Sequence, residues 1–259
     1  MSQDRHDYIL DFQKTGYPYL EDINEGIVKQ VVMTHEQSSI LDVGAGRGVL
    51  GEALCALGYE VYAIESNERA ASEASLKLNR VICADLHDMD KIHLSLQNKK
   101  FNYIVFSDVL EHVFDPLQVL RNYTPFLAEN GRLLISLPNA VNWLNRLRFM
   151  FGKFNYEMTG VMDRTHVRFF TFASAKKLLE ANECQVEKTD STPFLVRAFL
   201  PFIKKFVGRK KNGEDPGMIM MSPYYRIYQK YLYPIEYWIT RTMPSLFAFR
   251  IILVARKIK

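Results

Sequence analysis

The chain has 259 residues, of which 48% are hydrophobic and 24% charged, and its formal net charge is only +4. That supplies enough apolar side chain for one full-sized core and excludes an intrinsically disordered chain. The charge is uneven, however: Thr192–Lys259 holds 13 Lys and Arg against 3 Asp and Glu, whereas residues 1–191 hold 20 against 26.

Residues 1–37 are amphipathic and are expected to pack as helices ahead of the first strand. Ser39–Val43 is a short apolar run, followed at once by Gly44-Ala45-Gly46-Arg47-Gly48. Helical spacing runs from Val49 to Leu57 and stops at Gly58, a residue suited to a helix C-terminus. Glu60–Glu65 reads as a second strand, Asn67–Leu78 as a helix capped by Ser66 or Asn67, and Val81–Ala84 as a third strand. A polar stretch with His87 and His93 separates it from Phe101–Phe106, a fourth strand apolar enough for burial on both faces. Asp115-Pro116 opens a helix, with Asp at the cap and Pro in the first turn. This helix is expected to end near Asn130-Gly131, before a fifth strand at Arg132–Leu137.

Beyond Pro138 the pattern loosens. Val141–Phe151 reads as helix, Gly152–Arg168 as loop, Phe172–Ala181 as a helix capped by Thr171, and Gln185–Lys188 as a sixth strand. The final run, Phe247–Ala255, is strand-like and is expected to pair with the sixth. Between them, Thr192–Met243 carries two basic, aromatic helical stretches, Phe194–Val207 and Tyr224–Ile239. Strands alternating with helices predict a Rossmann-like, doubly wound α/β sheet. It should be mostly parallel with a terminal antiparallel strand, and have helices on both faces and a helical insertion before the last strand. One domain is expected over 1–259: N-terminal helices at 1–37, a core at 38–191, a lid or insertion at 192–243 and a last strand at 244–259.

Cys55, Cys83 and Cys184 fit no disulfide framework or metal-ligand spacing and suit a reducing compartment. With a polar first segment and no apolar run near the roughly 18 residues that span a bilayer, a cytoplasmic protein is expected.

A glycine turn between strand and helix brings backbone N–H groups to a ligand. Asp42 ahead of it disfavours a pyrophosphate and suits a ligand with cationic or donor groups. Glu65, at the end of the second strand, is placed to accept from ribose hydroxyls, and Asp85 from an adenine amino group. The motifs Ile40–Gly48 (Ile-Leu-Asp-Val-Gly-Ala-Gly-Arg-Gly), Ala63-Ile64-Glu65, Ala84-Asp85-Leu86 and Ser107-Asp108-Val109-Leu110-Glu111-His112 resemble those of class I S-adenosylmethionine-dependent methyltransferases. The resemblance implies S-adenosylmethionine as cofactor. Gly44 and Gly46 would lie against its methionine part, Asp42 at the amino end, Glu65 and Ser66 at the ribose and Asp85 with Leu86 at the adenine. Ser107 and Asp108 would line the side near the transferred methyl.

Methyl transfer is an in-line displacement, to which a hydroxyl acceptor adds the need for a general base. Two histidines are usefully placed, His112 after the fourth strand and His166 in the loop after the fifth; each serves equally as base or as loop scaffold. Asp163 and Arg168 flank His166 as acceptor-binding candidates. No further ligand accompanies Asp163 and His166 in the sequence, so no metal site is expected.

Glu111–Pro116 resembles the ubiquinone-biosynthesis-like branch, and Pro138–Thr171 a subgroup associated with cell-surface polysaccharide biosynthesis. The resemblance implies O-methylation of a sugar or polysaccharide-type acceptor, lipid-linked in one version. The alternatives are a small aromatic or quinone acceptor, or a cofactor-binding regulatory or assembly protein without transferase activity. The basic insertion, 194–239, could serve as a lid, a homodimer contact or a membrane-surface contact peripheral to the inner face; no nucleic-acid partner is expected.

Overall fold

The computed structural model describes residues 23–32, 38–194 and 228–258. Most of the expected N-terminal helices, and the Phe194–Val207 helix beyond Phe194, lie outside these residues. Seven strands form one sheet in the order β3-β2-β1-β4-β5-β7-β6. They are β1 (Ser39–Val43), β2 (Glu60–Glu65), β3 (Arg80–Cys83), β4 (Phe101–Ser107), β5 (Leu127–Pro138), β6 (Cys184–Pro193) and β7 (Ala248–Lys257). The first five run parallel, and β7 lies antiparallel between β5 and β6. The expected pairing of the last two strands is therefore observed.

Alternate residues of each strand feed separate cores, as a period of two requires. Ile40, Val61, Ala63, Val105 and Ile252 face α1 (Glu25–Val32) and α2 (Val49–Ala56), with Ala74 of α3 (Glu68–Ser75) in the same cluster. Leu41, Ile64, Ile104 and Leu253 face α4 (Met89–Leu96), α5 (Pro116–Tyr123) and α7 (Phe172–Ala181). The helix α6 (Trp143–Met150) stands beyond the end of β5. At Gly26 of α1 a Cβ would lie 2.0 Å from the Ile252 side chain, so a glycine is what lets this helix sit close on β7.

Besides β6, which runs to Pro193 rather than Lys188 and so into the expected insertion, three elements differ from expectation. The polar stretch after β3 contains α4, capped by Asp88, which accepts from the Lys91 N–H, and anchored by Ile92 and Leu96. Two buried residues in two turns left little periodicity to read. The helix after Asp115 stops at Tyr123 rather than near Asn130, because Pro125 cannot continue it; Thr124–Phe126 forms a tight turn instead. Strand β5 consequently begins at Leu127 and runs through Asn130 and Gly131.

Within the described part of the insertion, α8 (Tyr233–Thr242) packs on the edge strand β6. The Tyr237 hydroxyl donates to Asp190 at 2.9 Å, while Lys29 and Gln30 of α1 donate to Tyr237 and Asp190, both at 2.7 Å. No helix among the described residues is long and apolar enough to cross a membrane.

Candidate active site

Strand order reverses beside β1, whose neighbours β2 and β4 are reached by crossovers in opposite directions. A crevice for a ligand follows at the carboxyl ends of these strands. Asp42, next to last in β1, is buried, and its Oδ2 finds no hydrogen-bond partner among the described residues. Burial, and then the charge of Glu65, pushes its carboxyl up to about 7. Gly44 follows with φ +74°, and a Cβ there would lie 2.7 Å from Val109 Cγ2, so only glycine fits this turn.

The Glu65 carboxylate organises the loop: Oε2 accepts from the Gly46 N–H and Oε1 from the Asn67 N–H, each at 2.8 Å. Asn67, rather than Ser66, caps α3, and Ser66 is exposed beside it. Asp85 accepts from the backbone N–H of His87 at 2.8 Å and lies 2.9 Å from its Nδ1. The side-chain hydrogen bond from His87 is the main cause that holds Asp85 below the usual carboxylate range. Leu86 is half-buried, and its carbonyl accepts from the Tyr123 hydroxyl at 3.1 Å.

Ser107 and Asp108 sit opposite, at the end of β4. Asp108 has φ +56°, a left-handed backbone held by bonds on both carboxylate oxygens: Ser136 Oγ donates to Oδ1 and Arg250 Nε to Oδ2, each at 2.6 Å. Asn24, which starts α1, donates to Ser107 at 3.0 Å and Ser136 at 2.8 Å. A buried, unpartnered carboxylate oxygen beside a glycine turn that a Cβ would fill fits the cationic amino-acid end of S-adenosylmethionine.

The second cluster lies beyond β4 and β5. His112 ends a tight turn at Leu110–His112, its Nδ1 3.3 Å from the Thr165 carbonyl. His166 places Nδ1 3.0 Å from the Val161 carbonyl, and the two imidazole rings meet edge to face at 4.8 Å. A carbonyl accepts only from an N–H, so these contacts fit a proton on Nδ1 of each ring and a lone pair at Nε2, which in His166 faces Glu111. Burial lowers both histidines; His112, which also faces His166, falls to about 4.

Glu111 lies 4.0 Å from His166 Nε2, buried, and neither carboxylate oxygen has a hydrogen-bond partner among the described residues. Burial, and then Asp108, raises its pKa well above the ordinary range. Its backbone carbonyl accepts from the N–H groups of Val167 and Arg168, at 2.9 and 3.0 Å, and so pins the His166 loop.

Both acceptor-binding candidates are engaged locally. Asp163 is buried and accepts from the N–H and hydroxyl of Thr165 at 2.8 and 2.7 Å. Arg168 Nε donates to the Phe114 carbonyl at 3.0 Å. The fold also supplies ligands beside His166 that sequence order hid, since donor atoms of Glu111, His112 and His166 all lie within 4.8 Å of one another. Such a set could hold a divalent ion with neutral rings and an ionised Glu111.

Sequence reasoning overlooked Glu111 as a site residue in its own right, together with Arg250, Ser136 and Asn24. Arg250 had a signal, a lone cation inside the apolar run of β7, which needs a buried partner. Asn24 and Ser136 had none.

The sheet order and the donor crevice define a class I methyltransferase fold, the class whose methyl donor is S-adenosylmethionine. The family described as methyltransferase domains matches residues 19–189, and the chain belongs to that family. Among curated relatives, the ubiquinone biosynthesis O-methyltransferase of Glaesserella parasuis serovar 5 is 34% identical over 108 residues, 39% of this chain and 45% of that protein. The protein of the same name from Aeromonas salmonicida is 26% identical over 144 residues, 55% of this chain and 60% of its own length. The chain thus spans about half the length of the curated relatives it matches. A solved SAM-dependent methyltransferase from Archaeoglobus fulgidus shares the fold, with a TM-score of 0.58 and 16% identity over 97% of this chain and 99% of that one.

Proposed function

We propose that this protein O-methylates a phenolic or quinol-type acceptor, with His166 as general base. The observation that carries the reading is the 3.0 Å contact of His166 Nδ1 with the Val161 carbonyl, which fits a donor at Nδ1 and leaves Nε2 as the nitrogen that can accept a proton. Aromatic rings lead up to it, with Phe169 at 6.4 Å, and these suit a planar acceptor better than a polyol. The name carried by the two relatives supports the same acceptor class. A sugar-type acceptor has less support, because Asp163 Oδ1 and Arg168 Nε are already bonded to Thr165 and Phe114.

S-adenosylmethionine supplies, when bound, a methyl group activated by its sulfonium leaving group. Asp42 would take the ammonium of that cofactor, Glu65 the ribose hydroxyls beyond the Gly46 N–H it already holds, and Asp85 with Leu86 the adenine. Ser107 and Asp108, held by Asn24, Ser136 and Arg250, would set the wall nearest the reacting centre. His166 Nε2 would accept the acceptor's hydroxyl proton as the new O–C bond forms.

The test is transfer of labelled methyl to a catechol bearing a short prenyl tail, beside calorimetry with S-adenosylhomocysteine. His166→Ala should lower kcat about 100-fold and leave S-adenosylhomocysteine affinity unchanged. Unchanged kcat would remove His166 as base, and absence of S-adenosylhomocysteine binding by the wild type would remove the reading entirely.

A further inference from the structure

Residues 151–159, following α6, are all exposed. With Met150 at the end of α6 they carry large exposed apolar side chains: Met150, Phe151, Phe154, Tyr156 and Met158 are each between 54% and 72% exposed. Ordinary surfaces scatter such residues singly, and a contiguous group signals an interaction site. Here they are contiguous. Phe154 stacks on Phe149 at 5.4 Å and meets Tyr156 and Phe169 at 5.7 and 6.1 Å, and Phe169 leads on to His166.

The charge on and around this aromatic plate is net basic. Arg146, Lys153 and Arg164 are exposed within the same segment, and the nearby acid Glu157 is already paired with Arg148 at 2.8 Å. Exposed rings and a thioether-rich tip within a cationic rim match the boundary of an anionic bilayer, where rings enter the headgroup layer and cations meet lipid phosphates. Residues 195–227 are not the complement of this rim, because they carry seven Lys and Arg against two Asp and Glu.

We infer that Met150–Met158, with its basic rim, docks this protein on an anionic lipid surface and so opens the path to His166 toward an acceptor carried in that surface. The docking itself does not depend on the proposed methyl transfer. Its consequence for the acceptor does rest on that reading, and S-adenosylhomocysteine binding tests the donor half separately.

The experiment is flotation of the full chain with phosphatidylglycerol-containing vesicles and with pure phosphatidylcholine vesicles, at low and high salt. The wild type should float with the anionic vesicles at low salt, and high salt should weaken the association. Met150→Ser, Phe151→Ser and Phe154→Ser change exposed side chains, so S-adenosylhomocysteine affinity should be retained. Each of the two phenylalanine changes should weaken partitioning about tenfold, the equivalent of one well-buried apolar side chain. No flotation of the wild type, or undiminished flotation of the triple variant, overturns the proposal. The second outcome would assign lipid contact to another part of the chain.

Discussion

The donor crevice and the histidine cluster lie side by side at one end of the sheet, yet they are built in opposite ways. On its glycine-loop side the donor crevice is fixed by near neighbours in sequence: Glu65 by Asn67 and, across one crossover, by Gly46. Glycine at 44 and 46 and a carboxylate at 42 do their work within one turn of chain. The histidine cluster draws on residues far apart, with His112 meeting Thr165 across 53 positions and Arg250 meeting Asp108 across 142. Local chemistry builds the first region and tertiary packing the second, so damage should spread differently through the two.

The largest effect is expected where the two regions share a residue. Arg250→Leu would leave the Asp108 carboxylate without its cation in a setting where Arg250 is 8% and Asp108 25% exposed. A loss of about 3 kcal/mol in unfolding free energy is expected, at the low end for breaking a buried pair because Asp108 keeps some water. Urea melts of the apo protein measure this, and Arg250→Lys should restore part of it. Gly44→Ala is expected to cost about 2 kcal/mol, from the left-handed backbone and the overlap with Val109. Its effect should stay local, so calorimetry should show lost S-adenosylhomocysteine binding while the histidine cluster keeps its titration.

Asp42 of the first region and His112 of the second should also pull stability in opposite directions as pH changes. Asp42 has an ordinary pKa of 3.8 and one of about 7 when folded. Between these values the folded chain holds a proton that the unfolded chain has lost, so stability falls as pH rises from about 4 to about 7. Glu111 shifts in the same direction. For His112, ordinarily 6.5 and about 4 when folded, the unfolded chain holds the extra proton, so stability rises with pH over that window. Each group alone contributes a slope of at most ~1.4 kcal/mol per pH unit. Thermal melts at pH 5 and pH 6 should show a more positive slope for Asp42→Asn than for wild type, and a more negative one for His112→Asn. Equal slopes in both variants would remove the contrast between the regions.

The same contrast explains what could be read from sequence. Ile40–Gly48 announces a strand, a turn and a helix start in nine residues, and the turn geometry demands the glycines that mark it. The mostly parallel α/β class and most element boundaries followed from the same local alternation. Glu111 was visible only as a letter in a motif, because its environment is made by His166 and Asp163 from a loop some fifty residues away. Pro125 was equally plain in the sequence, but the rival stop signal Asn130-Gly131 falls within β5, where the tertiary sheet decides. The aromatic plate was hidden for another reason: Phe149–Phe154 has the composition of a buried segment, and only the surrounding fold leaves it outside.

The smallest predicted effect probes how far the donor region depends on the segment before β1. Asn24 is buried, caps α1 through its carbonyl and donates from Nδ2 to both Ser107 and Ser136. Ser136 in turn donates to Asp108, so Asn24 stands two hydrogen bonds from the residue whose left-handed backbone shapes the crevice wall. Asn24→Ala removes two neutral hydrogen bonds and leaves the Ser107 and Ser136 hydroxyl oxygens without that donor, and a loss of about 1 kcal/mol is expected. If α1 only covers the sheet, that loss should appear in urea melts alone. If it also holds the wall of the donor crevice, S-adenosylhomocysteine affinity should drop severalfold in parallel. Asn24→Asp, which keeps the shape and the cap but cannot donate, should match the alanine variant in affinity and exceed it in helix stability.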